Sequence, residues 1–278
     1  MSVDAVTGAA RAAAPYLAFA RTSFLNLLAY RARYFVGILT YFFNVTVWYY
    51  IWRALFDQAG PGARLGGFTF PEMVTYVATG WALRAFWFNE VDRDIASQVQ
   101  EGRLAMALIK PVDFQAMTLS QALGESAFRA VLFATPIALV LLAVYPVSLP
   151  ASPLAGLLYL ASGLLSALLV GAINFCVGLV AIRTKSILGF LRAKYLVLEL
   201  LSGLLIPPTL FPEAVRPVLD WLPFPHMSYT PGRVYLGLVS GGAALRVLAL
   251  QAAWVVALLL LGRLLWRATA RHVEVQGG

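Results

Sequence analysis

Four ionisable residues interrupt otherwise apolar runs of this sequence: Arg84, Glu125, Arg129 and Glu199. A charge at the centre of a membrane helix costs about 2.5–3.5 kcal/mol on insertion scales, so each of them needs a partner or a polar route. Glu125 and Arg129 are spaced i,i+4 and would neutralise each other on one helix face. Arg84 and Glu199 fall in the inner portions of two different runs. Pairing inside a bundle, snorkelling of Arg84, or the lining of a polar pathway each accounts for them. A proton-coupled carrier would use a periodic series of buried acids, and two acids do not make one.

Enzyme chemistry is harder to build from these residues. His226 and His272 fall on opposite expected sides of a membrane and cannot share a metal. No HExxH, GxSxG or GxGxxG pattern occurs. Lys185 and Ser186 are adjacent, but Thr184 stands where a phosphate-binding loop needs glycine. The expectation is a chain without catalytic, cofactor or metal residues. The single cysteine, Cys176, reads as a packed small hydrophobe.

The elements that must position these charges are membrane helices. The chain is 60% hydrophobic and 12% charged, against the ~25% charge of a soluble domain. An all-α polytopic membrane protein follows. Six spans are expected, at residues 34–55, 70–89, 116–145, 154–182, 190–206 and 244–266, each near the ~20 residues that cross a bilayer. Pro136 should kink the third. Of the 21 Lys and Arg residues, fourteen fall on one side and five (Arg53, Arg64, Arg216, Arg233 and Arg246) on the other. The positive-inside rule then makes both termini cytoplasmic. The net charge of +8 is thus a topology signal and an attraction to anionic lipid, giving no reason to invoke nucleic acid.

Three segments lie outside the spans. Residues 1–33 show no cleavable signal pattern. They are expected to carry an amphipathic helix with Tyr16, Leu17, Ala20, Ser23, Phe24, Leu27 and Leu28 on one arc, either flat on the membrane surface or as a soluble arm. In the cytosolic segment 90–115, Val91, Ile95, Val99 and Gly102 oppose Arg93, Asp94, Gln100 and Glu101, with Gly102 ending the helix. Such an element either docks into a groove on another protein or is a solvated connector. Externally, Pro207 and Pro208 are expected to stop the fifth span, and residues 212–222 to form a helix with Val215, Val218, Leu219 and Leu222 aligned. About eleven residues are too few to cross, so this helix lies in the interface, re-enters it, or is an ordinary loop helix. The chain divides into a cytosolic segment 1–33, a six-span domain 34–266 and a cytosolic tail 267–278.

These features resemble the permease subunit of type-two ABC exporters, the ABC-2 family. The likeness rests on the amphipathic N-terminal helix, on the EGRLAMALIKP stretch ending at Pro111, and on Ser202, Gly203, Pro207, Phe211, Pro212, Leu222 and Pro223 as an SG…P…FP…LP pattern followed by Arg233 and Gly237. The RTSFLNLLAYRARYF stretch and short length look most like a compact bacterial branch linked to multidrug and other hydrophobic-compound export. The resemblance implies a bacterial plasma membrane location and a complex of two permease chains, identical or different, with two separate ATP-binding subunits that hold ATP and Mg2+. It assigns ATPase coupling to Arg93, Ile95, Val99, Glu101, Gly102, Leu104 and Pro111. It assigns an external gate to Gly203, Pro207, Pro208, Phe211, Pro212 and Pro223. The cargo it implies is a drug-like compound, a lipid or a lipid-linked glycan, passing near the second and fifth spans. A secondary transporter would instead show inverted repeats, and a membrane enzyme acting on lipid would need convergent nucleophiles or His and acidic clusters.

Overall fold

The structure is a computed structural model and describes residues 3–30, 35–184 and 188–270. Among the described residues the only non-helical pairing is a lone bridge between Leu65 and Phe68. In chain order the α-helices are α1 (Val3–Ala29), α2 (Phe35–Ala59), α3 (Phe70–Trp87), α4 (Val91–Gln100), α5 (Leu104–Leu108), α6 (Phe114–Arg129) and α7 (Thr135–Val144). They continue with α8 (Pro153–Thr184), α9 (Leu188–Leu201), α10 (Arg216–Trp221), α11 (Tyr229–Tyr235) and α12 (Gly241–Thr269). Among the described residues three stretches are long and apolar enough to cross a membrane: Phe114–Val144, Pro153–Thr184 and Gly241–Thr269.

The break between α6 and α7 is a π-helical turn, Ala130–Ala134. Pro136 lacks an amide hydrogen, and the preceding turn widens to accommodate it. The Thr135 hydroxyl donates to the Ala130 carbonyl at 2.8 Å.

Two boundaries differ from expectation. The fifth apolar run is helical only as far as Leu201, about 21 Å of helix at 1.5 Å per residue. The prolines are not the terminator. Gly203 takes φ +78° and turns the chain before Pro207 is reached. The expected 212–222 helix shrinks to the six residues of α10. Pro217 explains this, because proline is accommodated in a first turn but not mid-helix, so the helix must begin again at Arg216. Of its aligned apolar residues only Leu219 is buried, while Val218 and Trp221 are exposed.

The N-terminal helix uses its apolar arc against protein. Tyr16 accepts a hydrogen bond from the Asp113 amide at 3.2 Å, and Phe24 meets Phe128 edge-on at 6.0 Å. A Cβ on Gly124 would stand 2.1 Å from the Ala20 carbonyl oxygen, so only glycine lets α1 approach α6 this closely. Leu17 lies off this contact and is 68% exposed.

The core divides along the bundle. At the α10 end, Trp52, Phe68, Tyr76, Phe133 and Tyr229 pack together; at the α4 end, Val91, Ile95, Leu104, Phe114 and Phe175 do.

Candidate functional site

α4 is short and polar, and carries Asp92 and Asp94 in its first turn, where carboxylates suit the helix dipole. It ends at Gly102, whose φ of +69° reverses the chain into α5. Its apolar face seats on α8 at Gly178, where a Cβ would come within 3.0 Å of the Asp92 Cα and the Ile95 Cβ.

That close seat puts Asp92 fully inside. Lys194 of α9 donates to the Asp92 carboxylate and, at 2.8 Å, to Asn174 Oδ1 of α8. The Asn174 amide in turn donates to the Asn89 carbonyl and side-chain oxygens at 2.9 Å. The side chains of Lys194 and Asp92 are 7% and 0% exposed. Removing one partner of such a pair strands a buried charge at a cost of about 3–5 kcal/mol. One polar seam therefore joins α4, α8 and α9.

A second set of charges continues the seam. Arg84 Nη2 lies 2.7 Å from Glu199 Oε1 of α9, and its Nη1 is 3.1 Å from the Tyr41 hydroxyl. Glu125 and Arg129 pair at 2.9 Å. The Phe88 ring stands between the two arginines, 5.3 Å from the Arg84 guanidinium and 4.8 Å from that of Arg129, a cation–π arrangement that suits desolvated cations. The remaining void beside Arg84, Lys194 and Glu199 is about 10 Å³, no more than a single water.

The other residues expected at the α4 end spread over its surface. Ile95 and Leu104 are buried, Val99 is half-buried, and Arg93, Glu101 and Pro111 are exposed. Arg93 pairs with Glu90, and Glu101 with Arg103. Hydrogen bonds from Ser97 and Arg103 hold the Glu101 carboxyl below the usual range. Asp94 moves the other way, up to about 6, through withdrawal from water and then through Glu125, Glu90 and Asp92.

At the opposite end, the residues of the SG…P…FP…LP pattern fold onto the bundle. Tyr76 of α3 donates to the Gly203 carbonyl, and the Tyr229 amide donates to the Ser202 carbonyl at 3.1 Å. A Cβ on Gly203 would meet Pro208, Tyr229 and Tyr76 within 2.9 Å. Pro207, Pro208 and Pro223 are buried, Phe211 is half-buried with its carbonyl bonded to Arg216 at 2.7 Å, and Pro212 is exposed. Thr209 ties the element to the Gly66 carbonyl at 2.7 Å. From Pro223 the chain dives back into the bundle through Phe224–Met227 and α11. Gln251 of α12 receives it, donating to the His226 carbonyl and the Ser162 carbonyl, both at 2.9 Å, while Ser162 donates to Gln251 at 2.8 Å.

Asn89, Asp92, Asn174 and Lys194, and Ser162, Ser166 and Gln251, are positions that the sequence reading did not single out for a site. Lys194 is one of the fourteen cations that the positive-inside rule takes as a topology signal. A usable signal existed for two of these positions: Asn174 and Gln251 are solitary polar groups in apolar runs, where an unpartnered polar group is costly. Lys185 and His272 lie outside the described residues.

Long apolar helices with polar seams buried between them fit an integral membrane protein. A family model described as ABC-2 family transporter protein matches residues 39–277, and the chain belongs to that family. It is the membrane component of an ABC-type transporter. No curated protein matches the chain.

Proposed function

We propose that the chain is the six-span permease subunit of an exporter, with both termini cytoplasmic, paired with a second permease chain and two separate ATPase subunits, and that it moves a hydrophobic or amphipathic compound out of the cytoplasm or inner leaflet of a bacterial plasma membrane. The ATPases bind α4 and α5, where Arg93, Glu101 and Gly102 present a charged, sharply turned surface. The α10 end is the external gate.

The observation that carries this reading is the course of α9. Its Lys194 is locked to Asp92 of the coupling helix, its Glu199 to Arg84 of α3, and its last residues lead into Ser202 and Gly203 of the gate. A push on α4 cannot be absorbed at the Asp92–Lys194 contact without separating buried charges. Motion at the ATPase face is therefore delivered along α9 to the gate.

The test is reconstitution with the ATPase subunits, comparing wild type with the double variant Asp92→Leu, Lys194→Met, which removes both charges together. Continued ATP turnover with transport reduced about tenfold or more is the expected result, tenfold corresponding to about 1.4 kcal/mol of lost coupling. Transport that keeps pace with ATP turnover would overturn the reading.

A further inference from the structure

The turn Phe224–Met227, between α10 and α11, carries a histidine into the bundle. His226 is 4% exposed, and its Nδ1 stands 2.9 Å from the Thr230 hydroxyl of α11. Its Nε2 is enclosed without a hydrogen-bond partner, and so is the hydroxyl of Ser228 two residues on. The turn is seated by its backbone and by its neighbour. The His226 carbonyl accepts from Gln251 of α12 at 2.9 Å and from Ser166 of α8 at 3.2 Å, and Met227 packs in one apolar cluster with Leu83, Val170, Leu198 and Val255.

An imidazolium in this seat would carry an Nε2–H donor with nothing to receive it, in surroundings where an unpaired charge is costly. The elements packed around the turn do little to offset that charge. α8 and α12 present the neutral Ser162, Ser166 and Gln251, and α11 presents Thr230. Lys194 and Glu199 of α9 are paired with Asp92 and Arg84, and Arg233 of α11 lies over the Tyr229 ring at 5.2 Å. Asp220 of α10, an exposed side chain, favours the protonated ring, but withdrawal from water outweighs it and pushes His226 down from 6.5 to about 4.

We propose that this turn is a proton-sensitive latch, which seats only with His226 neutral, so that protons reaching it from outside hold the gate open by charging the imidazole once it has left the seat. This rests on the reading of the α10 end as the external gate. Unseating also gives water to Nε2 and to the Ser228 hydroxyl, so the free turn gains hydrogen bonds that the seated one lacks. The sign follows from the two environments. The seat is at full strength above 6.5 and weakens as pH falls toward about 4. With a free imidazole titrating near 6.5, the ratio of unseated to seated turn should rise about tenfold between about pH 7.5 and about pH 5.5.

The test uses the full chain with Cys176→Ala and spin labels on Val218→Cys of α10 and Leu245→Cys of α12, two exposed positions on either side of the seat. With His226 present, a longer distance between the labels should gain population about tenfold over that pH range, and in His226→Gln, which keeps a polar group for Thr230 but takes no charge, it should not respond. No response with His226, or an equal response in His226→Gln, overturns the proposal. A second measurement needs no change at the latch: carbon-13 NMR of the His226 imidazole in a chain with His272→Gln. Titration in step with the longer distance supports the latch, and titration near 6.5 while the distance stays short overturns it. Both are read without ATPase subunits. Unseating that follows pH while transport by the assembled complex ignores external pH therefore counts against the gate reading alone, and a turn indifferent to pH in a complex that meets the coupling test counts against the latch alone.

Discussion

The two ends of the bundle are held by different physics. At the α4 end the contacts are between full charges, Asp92 with Lys194 and Arg84 with Glu199, supported by Asn174 and Tyr41. At the α10 end the buried contacts are neutral, Tyr76 to a glycine carbonyl, Tyr229 to Ser202 and Gln251 to the His226 carbonyl, with glycine and proline fixing the path, while the charges of Arg216 and of the Arg64–Glu72 pair stay nearer the surface. Charge pairs transmit force because separating them is costly. A neutral seam gives up one hydrogen bond at a time, each worth about 0.5–1.5 kcal/mol net, and so can open and reclose. The contrast suits a drive end and a gate end in one subunit.

Four measurements sharpen or break this contrast. The largest effect is expected for Lys194→Met, which should lower the unfolding free energy by about 3–5 kcal/mol in denaturant titration. The double variant with Asp92→Leu should recover most of that loss. If the single and double variants are equally unstable, the charges do not define the α4 end. Next is Gly203→Ala, where the left-handed backbone alone costs about 1–3 kcal/mol and the overlap with Tyr76 and Tyr229 adds to it. A thermal midpoint equal to wild type would show that the packing of the α10 end does not depend on this turn.

Gln251→Leu should cost about 1–3 kcal/mol by leaving the His226 and Ser162 carbonyls unpaired. Unlike Lys194→Met, it should be insensitive to a companion charge substitution. The smallest effect concerns pH. Asp94 is raised from 3.8 to about 6, so between those values the folded chain binds more proton than the unfolded one. Its contribution to stability is complete below 3.8 and declines as pH rises through 6. Asp94→Asn should flatten the stability curve over that window, and a slope that persists would assign it to other groups.

Much of this was legible in the sequence. Each of the six expected spans falls on helix, because long apolar runs bounded by Pro, Gly and charge leave few alternatives, but among the described residues only three helical stretches are long and apolar enough to cross a membrane. Gly102 ends α4 as its place in the amphipathic pattern suggested. Errors arose where a local rule was incompletely applied or where tertiary packing decided. Pro217 stood in plain sight inside the supposed 212–222 helix and should have shortened it. Pro207 and Pro208 are the stronger helix breakers by residue type, yet Gly203, with its positive φ, makes the actual turn. The segment YTPGRVY, assigned to no element from the sequence, forms α11, and Gly232 lets its backbone rest on the Tyr76 ring. Lys194 resembles the loop cations around it in every sequence property, and only the helix that covers it distinguishes it. The buried partners Asn89, Asn174 and Gln251 had a signal in their isolation, but nothing in the sequence says which solitary polar group meets which.

The π turn at Ala130–Ala134 has a consequence for reading frame along the third apolar run. It holds one residue more than an α turn, so α6 and α7 are out of phase with each other by one position. A single residue deleted from or inserted into the regular helix on either side, where no wide turn absorbs the change, would rotate everything beyond it by about 100°. Ile137 and Leu141, now 2% and 1% exposed, would swing out of the core. Length along this run is thus as strictly specified as residue type: a silent-looking one-residue indel should be more damaging here than most substitutions.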